Sequence, residues 1–125
     1  MRAAVLHLRW PLSRFVVRDT SMAATLRPGD RLLVWRWGEP RRGDVVVVRD
    51  PELPGLHLVK RLAACPGEPC PGVRGRDGYV VLGDQPDASR DSRAFGRLPR
   101  EAIVGRVAWR YLPGARRGPV ARAGP

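Results

Sequence analysis

Ser21, just past the end of a predicted strand, and Lys60 are side chains whose types could together run acyl transfer. A serine hydroxyl is a weak nucleophile until a base within hydrogen-bond reach takes its proton. Two histidines could serve, and neither is well placed. His7 lies in a ragged N-terminal stretch. His57 lies in Leu56-His57-Leu58-Val59-Lys60-Arg61-Leu62, which reads as a strand, so alternation sends His57 and Val59 to one face and Leu58 and Lys60 to the other. A face that presents Lys60 to a site turns His57 away from it. A Ser-Lys pair remains, which is a variant of the Ser-His-Asp arrangement.

Composition points to the same lysine. The chain carries 23 basic residues, and Lys60 is the one that is not arginine. Arginine keeps its proton in proteins, whereas a lysine amine can lose it when burial penalises the charge. Bringing an amine from its free value near ~10.4 to about 8 costs roughly 3 kcal/mol. A wall of Leu56, Leu58, Val59 and Leu62 could impose that cost. The competing reading is a lysine at a strand edge that extends its charge into water.

The elements that must position these groups are short and separated by turns. At 125 residues with 13 prolines and 14 glycines, the chain fits one compact, mostly β domain with little helix. Strands are predicted over Leu12–Asp19, Arg31–Trp37, Val45–Val48, Leu56–Ala64, Tyr79–Leu82 and Ala102–Tyr111. The unbroken run Val45–Val48 reads as a strand covered on both faces. Turns at Arg27-Pro28-Gly29-Asp30 and Arg41-Arg42-Gly43-Asp44 precede two of these strands. Residues 83–96 read as a polar loop. The domain is placed at 12–112, behind an extension of residues 1–11 and before a basic tail, 113–125, expected to be disordered because it has nothing to bury.

A net charge of +11 favours anionic surfaces, including peripheral contact with an anionic membrane. The arginines are spread along the chain without a recognition-helix, zinc-finger or RNA-binding pattern, so no specific nucleic-acid partner is expected. Cys65 and Cys70 cannot make a four-ligand zinc site with two distant histidines. They form a disulfide if the loop lies outside the cytoplasm and stay free thiols if it lies inside. The apolar run Ala3–Leu6 is interrupted by His7, Arg9 and Arg14, far short of the ~20 apolar residues of a bilayer span. A cytoplasmic or peripheral membrane location is therefore expected.

Four ordered segments resemble the conserved boxes of type I signal peptidases. Ser21-Met22-Ala23-Ala24-Thr25-Leu26, followed by Gly29-Asp30-Arg31-Leu32-Leu33-Val34, resembles the nucleophile box. Gly43-Asp44-Val45-Val46-Val47 is similar to the strand that follows it. Val59-Lys60-Arg61-Leu62, with Pro66-Gly67-Glu68 beyond, resembles the lysine box. Gly83-Asp84-Gln85 and Ser89-Arg90-Asp91-Ser92-Arg93-Ala94-Phe95-Gly96 resemble the last box.

The resemblance implies a serine endopeptidase with a Ser21/Lys60 dyad that needs no metal or organic cofactor. In it Ser21 attacks the scissile carbonyl, Lys60 is the general base, and Ser89 orients the lysine amine. Asp91 forms a supporting ion pair with Arg93 or Arg61, and the backbone N–H of Ser21 donates to the oxyanion. The implied partner is a precursor protein bound as an extended strand, with small side chains near the cut, which loses an N-terminal signal or pro-segment. The short form is similar to the maturation proteases of nickel-type superoxide dismutase, and the implied fold is the β-rich type of signal peptidases and of the self-cleaving SOS-repressor domain, which uses the same dyad.

Three positions depart from the family pattern. Ala24 stands where proline is usual, Gln85 replaces a frequent asparagine, and Asp19 stands two before Ser21, where a serine could donate to the oxyanion but a carboxylate can only accept. These departures sustain an alternative, a non-catalytic module that keeps the fold for binding peptides or anionic surfaces.

Overall fold

The structure is a computed structural model that describes residues 11–18, 22, 25–53, 55–85, 90–120 and 122. Ser21 and Ser89, together with Asp19 and Ala24, lie outside the described residues. One antiparallel sheet of seven strands forms the architecture: β1 (Leu12–Val16), β2 (Arg31–Trp35), β3 (Val45–Arg49), β4 (His57–Ala64), β5 (Val80–Leu82), β6 (Ile103–Leu112) and β7 (Gly118–Pro119). The spatial order is β1-β2-β6-β3-β4-β5, with β7 added to β6. The mostly β expectation holds.

β3 shows how one strand organises two cores. Val45 and Val47 join a cluster with Val17, Met22, Leu26, Leu32, Val34 and Val107. Val46 and Val48 join a second, with Leu58, Leu62, Tyr79, Val81, Leu98 and Ile103. All four valines are buried, because β3 pairs with β4 on one edge and β6 on the other and apolar residues cover both faces. Where β2 crosses β6, Gly105 is required. A Cβ there would lie 2.4 Å from the Trp35 carbonyl oxygen and 2.8 Å from Val34 Cγ1.

Several boundaries differ from expectation for physical reasons. β1 stops at Val16 because Val17 turns into the core, accepting from the Gly29 N–H (2.8 Å) and donating to the Asp30 carbonyl (2.9 Å). β2 ends at Trp35, two residues early, as the chain bends through Trp37-Gly38. Tyr79 precedes β5 in an isolated bridge with Leu98. The stretch read as a polar loop contains a short helix, α1 (Ser92–Phe95), capped by the Asp91 side chain.

The tail also departs from expectation. Residues 114–116 form a 3₁₀ turn and β7 pairs with β6, Gly118 opposite Arg110 and Pro119 opposite Trp109. Arg116 bonds the buried Asp30, and Arg122 bonds the buried Asp44 at 2.7 Å. The tail buries little apolar surface of its own. What it supplies is counter-charge to two carboxylates that the core would otherwise leave poorly satisfied.

Candidate active site

β4 alternates strictly. Leu58, Lys60, Leu62 and Ala64 are buried, while His57 is exposed and Val59, Arg61 and Ala63 are half-buried. The expected opposition of His57 and Lys60 is therefore present. Lys60 stands opposite Val46 in the β3–β4 register, between Leu58 and Leu62 on its own face, and is only 1% exposed. No larger side chain among the described residues is fully buried. An edge lysine extending to solvent is thus ruled out for this position.

Arg61, on the other face, reaches the segment that follows Ser21. Its Nη2 donates to Asp84 Oδ2 at 2.7 Å and to Thr25 Oγ1 at 3.3 Å, and its Nη1 donates to the Gly43 carbonyl at 3.1 Å. Thr25 Oγ1 donates in turn to Asp84 Oδ2 at 2.7 Å, and the Asp84 N–H donates to Met22 Sδ at 3.3 Å. Burial would raise the Asp84 carboxyl. Hydrogen bonds from Arg61 and Thr25 and the guanidinium charge outweigh it, holding the group below the ordinary carboxylate range. Asp84 thereby joins three of the four recognised boxes and holds Met22, the neighbour of Ser21, against the lysine strand.

Asp91 is the second hub. It is 1% exposed and pairs with Arg93 (Nη2 at 2.5 Å, Nε at 3.0 Å). It also accepts the backbone N–H of Gly83 at 3.0 Å and of Arg93 at 3.1 Å. Of the two partners considered for Asp91, the pair is with Arg93; Arg61 lies across the strand and pairs with Asp84. Burial pushes the Asp91 carboxyl up, and the Arg93 bond, the two backbone donors and the arginine charge bring it below its usual value. Ser92 Oγ accepts the Val81 N–H at 2.9 Å, which fastens α1 to β5. β5 pairs with β4 through Leu82 opposite Arg61 and Val81 opposite Leu62, so the last box is bound to the lysine strand.

Sequence reasoning missed a further clamp. Arg90, the residue after Ser89, bonds Asp50 and reaches Glu52 Oε1 at 2.5 Å. Its guanidinium also lies 5.3 Å from the Phe95 ring centre. Ser89 is therefore followed by two anchored residues, Arg90 on the β3 end and Asp91 under β5. The signal available in sequence was Asp50-Pro51-Glu52, an Asx-type turn in which Asp50 Oδ1 accepts the N–H of Glu52 and Leu53. Nothing local in it names Arg90 as the partner. The thiols of Cys65 and Cys70 are free and half-buried.

A groove of about 530 Å³ runs between Phe15, Val16 and Arg18 on one side and Leu56, His57 and Leu58 on the other. The Phe15 and His57 rings meet edge to face, 5.4 Å between centres. Among the described residues, β1 has a strand partner only in β2, and β4 acquires its β5 partner only from Arg61 onward. Two strand edges with unused backbone groups thus border an apolar trough, the geometry in which an extended peptide can add as a strand.

The family model described as signal peptidase, peptidase S26 matches residues 2–70 and 73–112. The chain is similar to mitochondrial ATP-independent inner membrane protease subunit 1b of Arabidopsis thaliana, with 36% identity over 118 residues covering 80% of this chain and 70% of the relative. It is likewise similar to probable signal peptidase I-1 of a Synechocystis strain, 31% identical over 144 residues, covering 84% of this chain and 73% of the relative. Signal peptidase I of Leptolyngbya laminosa is 31% identical over 141 residues, covering 82% and 70%. With a lysine buried on the strand face it shares with Leu58 and Leu62, two carboxylate hubs that tie the boxes together and this span of similarity, the chain belongs to the signal peptidase family, peptidase S26, and is a peptidase of that class.

Proposed function

We propose that the chain is a serine endopeptidase that removes an N-terminal signal or pro-segment from a precursor protein, using Ser21 as nucleophile and Lys60 as general base. The observation that carries this reading is the burial of Lys60, the single lysine of an arginine-rich chain, at 1% exposure among Leu58, Leu62 and Val46. Burial disfavours the ammonium form, and a base must be neutral to accept a proton. Arginine could fill the same space but could not take that role.

In the proposed cycle the Ser21 hydroxyl proton passes to Lys60 Nζ as Oγ bonds the scissile carbonyl carbon. The oxyanion receives the backbone N–H of Ser21. Collapse breaks the C–N bond, the departing amine takes the proton from Lys60, and an acyl-enzyme remains. Water then attacks the ester with Lys60 again as base, freeing Ser21 and the new carboxylate. Ser89 orients the amine, and the Asp91–Arg93 pair supports the segment that carries Ser89. The substrate lies extended in the groove between β1 and β4.

A precursor of nickel-type superoxide dismutase is the first substrate to test within this reading. Peripheral contact with an anionic membrane is supported by Trp37, which is 54% exposed and borders a hollow with Arg36, Arg49 and Arg100. Among the described residues no helix is long and apolar enough to cross a membrane.

The test is cleavage of candidate precursors, with new N-termini mapped by mass spectrometry. Wild type cleaves at one site, and Ser21→Ala and Lys60→Ala do not. Binding of precursors without cleavage by wild type would instead favour the non-catalytic module. Cleavage that survives Lys60→Ala would refute the dyad.

A further inference from the structure

Asp30 ends the turn that follows the Ser21 segment, and it is 1% exposed. Arg116, from the tail, meets it as a fork, with Nη1 on Oδ1 and Nη2 on Oδ2, both at 2.7 Å. Arg110 Nη1 lies 3.3 Å from Oδ2 and also donates to the Thr25 carbonyl at 2.9 Å. The Asp30 carboxylate also accepts the Arg27 N–H at 2.8 Å. Arg110 is itself locked to the tail, its Nε donating to the Arg116 carbonyl at 2.5 Å. Val120, just beyond β7, packs on the cluster that contains Met22 and Leu26. The tail thus grips Asp30 directly and, through Val120, the core beneath Met22 and Leu26, while the Arg110 that it holds reaches the Thr25 carbonyl.

We propose that residues 113–120 are an intramolecular latch on the nucleophile segment, and that Arg116 is a positioning residue for Ser21. This rests on the reading of Ser21 as nucleophile. The geometry makes the link short. Met22 adjoins Ser21 and accepts the N–H of Thr25 (2.8 Å) and Leu26 (2.6 Å) through its carbonyl. A displacement at Thr25 or Asp30 is therefore passed to the turn at Met22, the residue next in sequence to Ser21. On one side that turn is held by Arg61 and Asp84, and on the other by Arg110 and Arg116. β7 has a structural role as well, since it fills the β6 edge beyond the point where β3 ends. An edge cap alone, however, needs no bidentate arginine aimed at a buried carboxylate 86 residues away in sequence.

A misplacement of about 1 Å at a reacting group can cost on the order of 10²-fold in rate, and the loss falls on turnover when substrate binds elsewhere. The experiment compares wild type with Arg116→Ala, Arg116→Lys and, as control, Arg117→Ala at the exposed neighbour. The substrate is an internally quenched peptide with an Ala-Xaa-Ala cleavage site. Amide hydrogen exchange is followed at Leu26, Arg27 and Gly29, well below the melting temperature. For Arg116→Ala the expected result is at least tenfold faster exchange at these amides, kcat at least tenfold lower and KM within twofold of wild type. Arg116→Lys, which keeps the charge but not the fork, gives values between wild type and Arg116→Ala in both readouts, and Arg117→Ala changes neither. Unchanged exchange in Arg116→Ala overturns the latch. Faster exchange with unchanged kcat overturns the positioning role, as does an equal loss in Arg117→Ala. If Arg116→Ala does not fold, Arg116→Lys and Arg110→Lys carry the same comparison through the exchange readout. Cleavage retained by Ser21→Ala would refute the nucleophile instead, a result that the exchange measurement keeps separate from failure of the latch.

Discussion

Asp91→Ala removes a carboxylate that accepts four bonds: from the Gly83 N–H, the Arg93 N–H, and Arg93 Nε and Nη2. Three costs can be set beside one another. Loss of the N-cap of α1 is worth about 1 kcal/mol. Leaving the Gly83 N–H buried without an acceptor costs about 1–3 kcal/mol. Loss of a partly buried ion pair adds little more, because the Arg93 side chain is 39% exposed and water can solvate it again. The sum is about 2–4 kcal/mol, below the ~3–5 kcal/mol expected when both partners are deeply buried. For a chain of this length, 3 kcal/mol lowers Tm by about 10 °C. Asp91→Asn keeps the shape and one acceptor oxygen, and should lose about half as much. The assay is urea unfolding monitored by near-UV signal, with the midpoint shift converted through an unchanged slope. A loss under 0.5 kcal/mol for Asp91→Ala, or an equal loss for both variants, would show that the carboxylate does not fasten the last box and would refute the bookkeeping.

The other predictions concern the lysine, pH and the sheet. Lys60→Met keeps the length of a side chain that is 1% exposed and removes its amine, so cleavage should fall at least ~10²-fold in a variant that still folds; cleavage kept together with a large loss of stability would mark Lys60 as structural. The carboxyls of Asp30, Asp50, Asp84 and Asp91 are all held below their ordinary values in the fold. Their contribution is therefore complete above the unfolded value near ~3.9 and is lost as pH falls through the lower folded values. Acid titration of the near-UV signal should show unfolding below about pH 4, steeper in wild type than in Asp91→Asn. An unchanged slope would refute the linkage. Gly105→Ala forces a methyl to within 2.4 Å of the Trp35 carbonyl and should cost about 2 kcal/mol or more in the same urea assay; a neutral result would refute the close crossing of β2 and β6.

What could be read from sequence was whatever depended on alternation and local turn chemistry. Period-two burial placed Lys60 opposite His57, and four consecutive valines announced a strand covered twice. Long-range charge pairing could not be read in that way. Asp30, Asp44, Asp50 and Asp84 look alike as turn aspartates after glycine or arginine, and each is matched by an arginine far along the chain. With twenty-two candidate arginines no local rule selects Arg116, Arg122, Arg90 or Arg61 for its aspartate. The same abundance concealed the tail, whose basic composition suggested solvation although two of its arginines end on buried carboxylates.

These pairings give the arginine excess a structural meaning. Asp30 and Asp91 are 1% exposed and Asp44 is 3% exposed, and each also accepts backbone N–H groups that fix a turn or a helix cap. A carboxylate held in this way must stay ionised to accept all its donors, and arginine guarantees the counter-charge because it does not deprotonate. Lysine in those places would be a softer choice, since burial can neutralise it and strip the aspartate of its partner. Position 60 differs: Lys60 shares its buried strand face with Leu58 and Leu62, and the proposed dyad needs there a group that can shed its proton and take another. One chain thus uses permanent cations to fix its turns and reserves its single adjustable cation for the strand where the proposed chemistry needs a base.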